Sequence, residues 1–206
     1  MADCRMMVLV ETGAGAPARL AAALSAGEMS SVVIAVPEGT PVADVQALVG
    51  AAQAAGAAAL IRDDARLART LKADGVHLSV GNAKSFGEAR EIVGSRGIIG
   101  VDAGRSRHEA MVAGEATAEY VAFGIPDHVG DREKAHRRRC ELVAWWSEIF
   151  EVPVVACDVA TAEEAAHLAA AGADFVALVL PAREPPAASG ELVRAVREAI
   201  AGEAVA

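Results

Sequence analysis

The sequence predicts a (β/α)8 barrel, and three observations point there. The first is a repeated turn: Lys72-Ala73-Asp74-Gly75-Val76-His77-Leu78 has a counterpart a hundred residues later in Ala171-Gly172-Ala173-Asp174-Phe175-Val176-Ala177-Leu178, with Ala118-Glu119-Tyr120-Val121-Ala122-Phe123-Gly124 between them. In each, a helical pattern ends, small or acidic residues turn the chain, and a short apolar run begins without polar alternation. Such a run suits a strand covered on both faces, as in parallel sheets under helices. The second is composition: 53% of residues are hydrophobic but only 3% aromatic, so the core is built from Ala, Val, Leu and Ile. The third is number. About eight strand-like runs alternate with helix-compatible stretches, as an eightfold barrel requires; an open doubly wound sheet is the alternative.

In order, the strand-like runs are Met6–Val10, Ser31–Val36, Ala58–Ile61, Gly75–Leu78, Gly97–Val101, Tyr120–Gly124, Val152–Cys157 and Phe175–Leu180. Helix patterns rich in Ala, Leu, Glu and Arg occupy Ala43–Ala55, Ala65–Ala73, Phe86–Val93, Leu142–Phe150, Ala162–Ala171 and Glu191–Ala201. Thr161 before Ala162-Glu163-Glu164 reads as an N-cap with an acidic first turn, and Ser189-Gly190-Glu191 is similar. Loops fall at Glu38–Pro41, Pro126–His136 and Pro181–Gly190; the last two come after strands six and eight, on the catalytic rim of a barrel.

A length of 206 residues fits one barrel domain over residues 1–206. The formal net charge of -9 argues against a broad nucleic-acid surface. It leaves room for a small phosphorylated ligand, which needs only local amides and a few cations. Cys4, Cys140 and Cys157 form an odd set without CxxC spacing, so neither a disulfide framework nor a cysteine-rich zinc site is expected. No leader pattern and no apolar run of about 18–20 residues is found. The expectation is a cytoplasmic protein without membrane attachment.

With the strands placed, the chain resembles the thiamine phosphate synthase family, which includes the thiazole tautomerases. The likeness runs from Ala57 to Pro181 and is carried by Ile61-Arg62-Asp63-Asp64, Ala73-Asp74-Gly75-Val76-His77-Leu78, Ile99-Gly100-Val101, Tyr120-Val121-Ala122-Phe123-Gly124, Pro153-Val154-Val155-Ala156 and Ala171-Gly172-Ala173-Asp174. The resemblance implies a transferase of thiamine biosynthesis that joins an aminopyrimidine pyrophosphate to a thiazole phosphate with help from Mg2+. It makes Asp63 a candidate metal ligand, with Asn82 standing where the family has a second carboxylate. An amide attracts a hard cation less than a carboxylate does, so any metal site here is expected to be weak. Arg62 replaces the neutral amide that precedes the aspartates in the family.

Other family features are missing. The second strand, Val33-Ile34-Ala35-Val36-Pro37-Glu38, lacks the cations that hold pyrophosphate. The loop after strand six keeps Gly124 and a cation at Arg132 but has lost its hydroxyls and gained Asp127 and Asp131. The phosphate-binding turns after strands seven and eight read Cys157-Asp158-Val159 and Val179-Leu180-Pro181, placing a carboxylate and an imino acid where backbone N–H groups would hold an anion. In the tautomerase branch the catalytic His lies just after strand five; Arg105 is nearest that position, and His108 reads as the start of the next helix.

The acids that remain are concentrated. Asp63, Asp102, Asp127 and Asp158 all fall at or just beyond strand ends and would share one mouth, with Arg62, Arg105, Arg132 and Arg183 to balance them. Solvated loop residues and rim salt bridges are the plainer reading. The candidate catalytic residues are therefore Asp63, Asp102, Asp127, His128 and Asp158, and the substrate-binding candidates are Arg62, Gly124 and Arg132. His77 lies inside a strand motif and reads as a packing residue before a catalytic one; Cys157 reads as a buried thiol. Arg137-Arg138-Arg139 reads as a solvated helix face, with a phosphate-directed patch as the alternative. Adjacent Trp145 and Trp146 diverge by about 100° on a helix, which raises a homodimer contact. Three functions stay open: a synthase with weak or lost standard activity, a different small-molecule enzyme using the rim carboxylates, and a non-catalytic protein binding a metabolite or partner.

Overall fold

The computed structural model describes residues 4–125 and 129–203. Its eight parallel strands close in chain order, with β8 returning to β1. The elements are β1 (Arg5–Glu11), α1 (Ala16–Ala26), β2 (Ser31–Ala35), α2 (Val42–Ala54), β3 (Ala58–Arg62), α3 (Ala65–Thr70), β4 (Gly75–Leu78), a 3₁₀ turn (Ala83–Ser85), α4 (Phe86–Val93), β5 (Ile98–Asp102), α5 (Arg107–Glu115), β6 (Tyr120–Phe123), α6 (Arg132–Ile149), β7 (Val154–Val159), α7 (Ala162–Ala170), β8 (Phe175–Val179) and α8 (Pro186–Glu203).

Strand residues sort into two shells. Val8, Val32, Ile34, Ile61, Ile99, Val121 and Phe123 face the helices and join their apolar stripes in one large cluster. The alternate positions Met7, Val33, Leu60, Tyr120, Ala122, Val155, Cys157 and Ala177 fill the barrel interior. Both faces being buried explains the missing polar alternation.

The repeated turn has a structural cause. Asp74 Oδ2 accepts the Ala59 N–H at 2.8 Å, Glu119 Oε2 accepts the Ile99 N–H at 2.7 Å, and Asp174 Oδ2 accepts the Val154 N–H at 2.8 Å. Each acid, one residue before β4, β6 or β8, thus ties its turn to the start of the preceding strand. Amides left unpaired at the closed end of the barrel are costly, and a carboxylate of fixed spacing satisfies them.

Two helices start earlier than their apolar patterns. α6 begins at Arg132 rather than near Leu142, because Asp131 caps it by accepting the Lys134 N–H at 3.0 Å and its first turns are polar. α8 begins at Pro186 rather than Glu191. Along α6, Arg137 pairs with Glu133 and Arg138 with Glu141, whereas Arg139 is buried. Trp146 is enclosed and donates to the Val152 carbonyl at 2.7 Å; Trp145 lies under the Arg107 guanidinium, 4.5 Å from its ring centre. Among the described residues, no helix is long and apolar enough to cross a membrane.

Candidate functional site

The carboxyl ends of the strands open onto a cavity of about 470 Å³. Met7, Leu9, Val33, Ala177 and Val179 form an apolar wall, and Arg62, His77, Ser79, Asp102, Cys157 and Asp158 bring polarity. Four sequence candidates converge here: Arg62, Asp102, Gly124 and Asp158. A methyl group on Gly124 would lie 2.5 Å from Asp158 Oδ2 and 3.1 Å from Asp102 Oδ2. The two carboxyls therefore meet over this glycine, and any larger residue would push them apart.

Asp158 reaches the mouth through an irregularity. The sequence pattern ends its strand at Cys157, but the strand runs to Val159, and the pairing with β8 slips between Ala156↔Val176 and Val159↔Leu178. Three steps on β7 match two on β8, which is a bulge. Asp158 takes up the extra residue with φ 58°, in the left-handed region that Asp tolerates better than most residues. Cys157 and Asp158, consecutive in sequence, consequently both line the cavity. Asp158 Oδ2 accepts the Ile125 N–H at 2.9 Å, tying the bulge to the end of β6. From behind, the buried Arg139 donates to the Cys157 carbonyl and lies 3.4 Å from Glu164 Oε2.

Burial controls the charge of this site. It pushes Asp102 up to about 7, with the Asp158 carboxylate adding to the rise and the Gly104 N–H, at 2.7 Å from Oδ1, opposing it. His77 is held down at about 4 by burial and by the nearby Arg62. Burial also raises the Cys157 thiol and the Tyr120 phenol well above their usual ranges. At neutral pH the floor thus presents a neutral imidazole, a thiol and a carboxyl that holds its proton far longer than an exposed one. Tyr120 lies in the barrel interior with its hydroxyl 2.7 Å from His77 Nδ1. Gly100 makes room for it: a methyl group there would fall 1.8 Å from Tyr120 Cζ.

Asp63 and Asn82 stand apart from the cavity. Asp63 Oδ1 accepts the Ser79 N–H at 2.8 Å and Oδ2 accepts the Ser79 hydroxyl at 2.6 Å, while Asn82 Nδ2 donates to Ser79 Oγ at 3.2 Å. Arg62 Nε is 3.6 Å from Asp63 Oδ2. This is a rim network that shapes the β4–α4 loop. Arg132 is exposed in the first turn of α6, Arg105 and Arg183 are exposed on loops, and His108 is in the first turn of α5. Asp127 and His128 lie outside the described residues. In sequence, His77 and Cys157 read as packing residues. Yet His77, Asp102 and Cys157 offer ligand atoms all within 4.8 Å of one another, and the signal that could have found them is their shared inward parity on β4, β5 and β7.

An eightfold barrel with a polar, apolar-walled mouth at its strand ends belongs to the class of small-molecule barrel proteins. A family model described as thiamine monophosphate synthase matches residues 9–181, and the chain belongs to that family. The thiamine-phosphate synthase of Rhodospirillum centenum is 39% identical over 185 residues, covering 86% of this chain and 88% of that protein. That of Hyphomonas neptunium is 39% identical over 188 residues, covering 86% and 85%. The solved structure of a thiamine phosphate pyrophosphorylase from Pyrococcus furiosus shares the fold, with a TM-score of 0.75, 19% identity and coverage of 98% and 97%. The protein is a thiamine phosphate synthase-like barrel.

Proposed function

We propose that this barrel is a divergent family member that binds a polar heterocycle in its mouth and does not carry out efficient transfer with loss of pyrophosphate. The observation behind this reading is the fate of the amides after β7 and β8. The Ala160 N–H donates to Glu164 Oε2 at 3.0 Å, and the Glu164 N–H donates to Thr161 Oγ1 at 3.1 Å, so the start of α7 carries its own carboxylate. A carboxylate there takes up the attraction that a helix N-terminus offers an anion. After β8, the Leu180 N–H donates to the Leu9 carbonyl at 3.0 Å, and Pro181 has no N–H to give. A phosphate at either turn would meet acceptors where it needs donors.

The residues after β3 and β4 do not fit magnesium either. Both Asp63 oxygens already accept from Ser79, a guanidinium stands 3.6 Å away, and Asn82 contributes a neutral amide. A hard divalent ion favours anionic oxygen that is free to turn toward it. What the mouth does suit is a flat amino-substituted ring. Met7, Leu9, Val33 and Val179 would cover its faces, the Asp102 and Asp158 carboxyls would accept from its amine, and Arg62 would donate to its ring nitrogens or an oxygen.

The second reading is the family transfer reaction itself, favoured by relatives at 39% identity that carry the synthase name over most of their length. One set of measurements separates the two. Purified protein given aminopyrimidine pyrophosphate, thiazole phosphate and Mg2+ is expected to form no thiamine phosphate above background and not to rescue an auxotroph lacking its synthase. Calorimetry is expected to show tighter binding of the unphosphorylated aminopyrimidine alcohol than of its pyrophosphate. Turnover with rescue would establish the second reading instead.

A further inference from the structure

We infer that His77, Asp102 and Cys157 form a site for a borderline-soft divalent metal of the zinc class at the floor of the mouth. One ligand atom from each lies within 4.8 Å of the other two, and all three side chains are buried. A tetrahedral zinc with bonds of about 2.0–2.3 Å spaces its ligand atoms roughly 3.3–3.8 Å apart. From a spacing of up to 4.8 Å the cluster therefore needs to close by at most about 1.5 Å, within reach of side-chain rotation at strand ends. Imidazole and thiolate suit zinc, copper or nickel and suit magnesium poorly. The site is thus chemically distinct from the Asp63–Asn82 position on the rim.

The surroundings hold each ligand as metal sites require. The Tyr120 hydroxyl, 2.7 Å from His77 Nδ1, can accept its N–H and leave the Nε2 lone pair for a cation. The Gly104 N–H fixes Asp102 Oδ1 at 2.7 Å, and Oδ2 lies on the Gly124 side, facing the mouth. Cys157 is set by the β7 bulge and by Arg139 on its carbonyl. Three protein ligands leave a fourth position open toward the cavity, the arrangement of catalytic rather than structural zinc. Binding converts the Cys157 thiol to a metal-bound thiolate and releases its proton to water. Arg62 lines the cavity, with its Nε 3.6 Å from Asp63 Oδ2.

A surface cluster gives a useful contrast. His136 Nε2 is 3.3 Å from His167 Nδ1 and 3.7 Å from Cys140 Sγ, spacings as short as those of a zinc site. But Arg139 Nη2 is 3.0 Å from His136 Nδ1, and a guanidinium only donates. The hydrogen of neutral His136 then sits on Nε2, so the nitrogen facing Cys140 and His167 is a donor and not a ligand.

The test is titration of cobalt(II), a spectroscopic stand-in for zinc, into chelator-treated full-length protein. The expected result is a thiolate-to-cobalt charge-transfer band saturating at one equivalent, displaced by zinc. Cys157→Ser should abolish the band, and Tyr120→Phe should weaken cobalt binding by about tenfold or more through the histidine it orients. Zinc should raise the melting temperature of the unaltered protein. His77→Gln serves as the second variant if Cys157→Ser does not fold, and it should also lose the band. Absence of the band in the unaltered protein would overturn the inference. So would a band that survives Cys157→Ser or His77→Gln and disappears in Cys140→Ser.

Discussion

Asp63 and Asp158 share a left-handed φ, 60° and 58°, and each stands at the mouth end of a strand. Their carboxylates do different work. Asp63 gives both oxygens to Ser79 and shapes a loop; Asp158 lies on a bulge, holds the Ile125 amide and lines the cavity. The difference lies in the path of the chain beyond each residue. Past Asp63 the chain leaves the barrel for α3, whose N-cap is Asp64, while past Asp158 it rejoins the ladder for one more residue. An acid at a strand end thus acquires a role from register, which neighbouring residues in sequence do not reveal.

The sharpest way to test the mouth side of this contrast is by pH, on metal-free protein. Asp102 goes from 3.8 to about 7 on folding, so the native state holds an extra proton between those values and stability falls as pH rises across them. His77 goes from 6.5 to about 4, so the unfolded state holds the extra proton and stability rises with pH over about 4 to 6.5. The two slopes oppose each other, and the unaltered protein should be nearly flat between pH 4 and 6.5. Asp102→Asn should expose the rising slope and His77→Gln the falling one, each on the order of 3–4 kcal/mol across its window by urea denaturation. Parallel profiles for both variants would break the picture of a buried, charge-suppressed floor.

Next in size is Arg139→Met. It removes the donor behind the bulge and leaves the Glu164 carboxylate and Cys157 carbonyl without it, at an expected cost of about 3 kcal/mol. A loss below about 1 kcal/mol would mean the bulge holds itself. Gly124→Ala should cost about 2 kcal/mol by crowding the two carboxyls and should abolish heterocycle binding in calorimetry; unchanged affinity would place the ligand elsewhere. The smallest effect is expected on the rim. Asn82→Ala deletes the hydrogen bond from Asn82 Nδ2 to Ser79 Oγ, costs about 1 kcal/mol and leaves mouth binding unchanged. A large binding defect there would erase the distinction between the two acids.

Much of the barrel is legible in the sequence because its rules are periodic. The acids Asp74, Glu119 and Asp174 recur at fixed distances from their strands, and double burial leaves runs such as Val121–Phe123 without polar residues. The site is legible only in part. Arg62, Asp102, Gly124 and Asp158 stand out by lying at strand ends, and they converge. His77 and Cys157 do not stand out, because an inward residue near the top of a strand looks in sequence like any other core residue. The β7 bulge leaves no trace either, since the strand pattern stops at Cys157; only the pairing of Val154–Val159 with β8 discloses the extra residue. The early start of α6 is hidden by its charged first turns, whose stabilisation by Asp131 and by Arg–Glu pairs does not depend on an apolar stripe.

The bulge has a consequence for how such a protein can change. Removing one codon at position 158 would let β7 return to even pairing beside β8 while the other seven strands keep their alignment. The same step would withdraw a carboxylate from the mouth and free the Ile125 amide to meet an incoming anion. One residue of register in β7 thus couples the chemistry of the mouth to the alignment of a single strand.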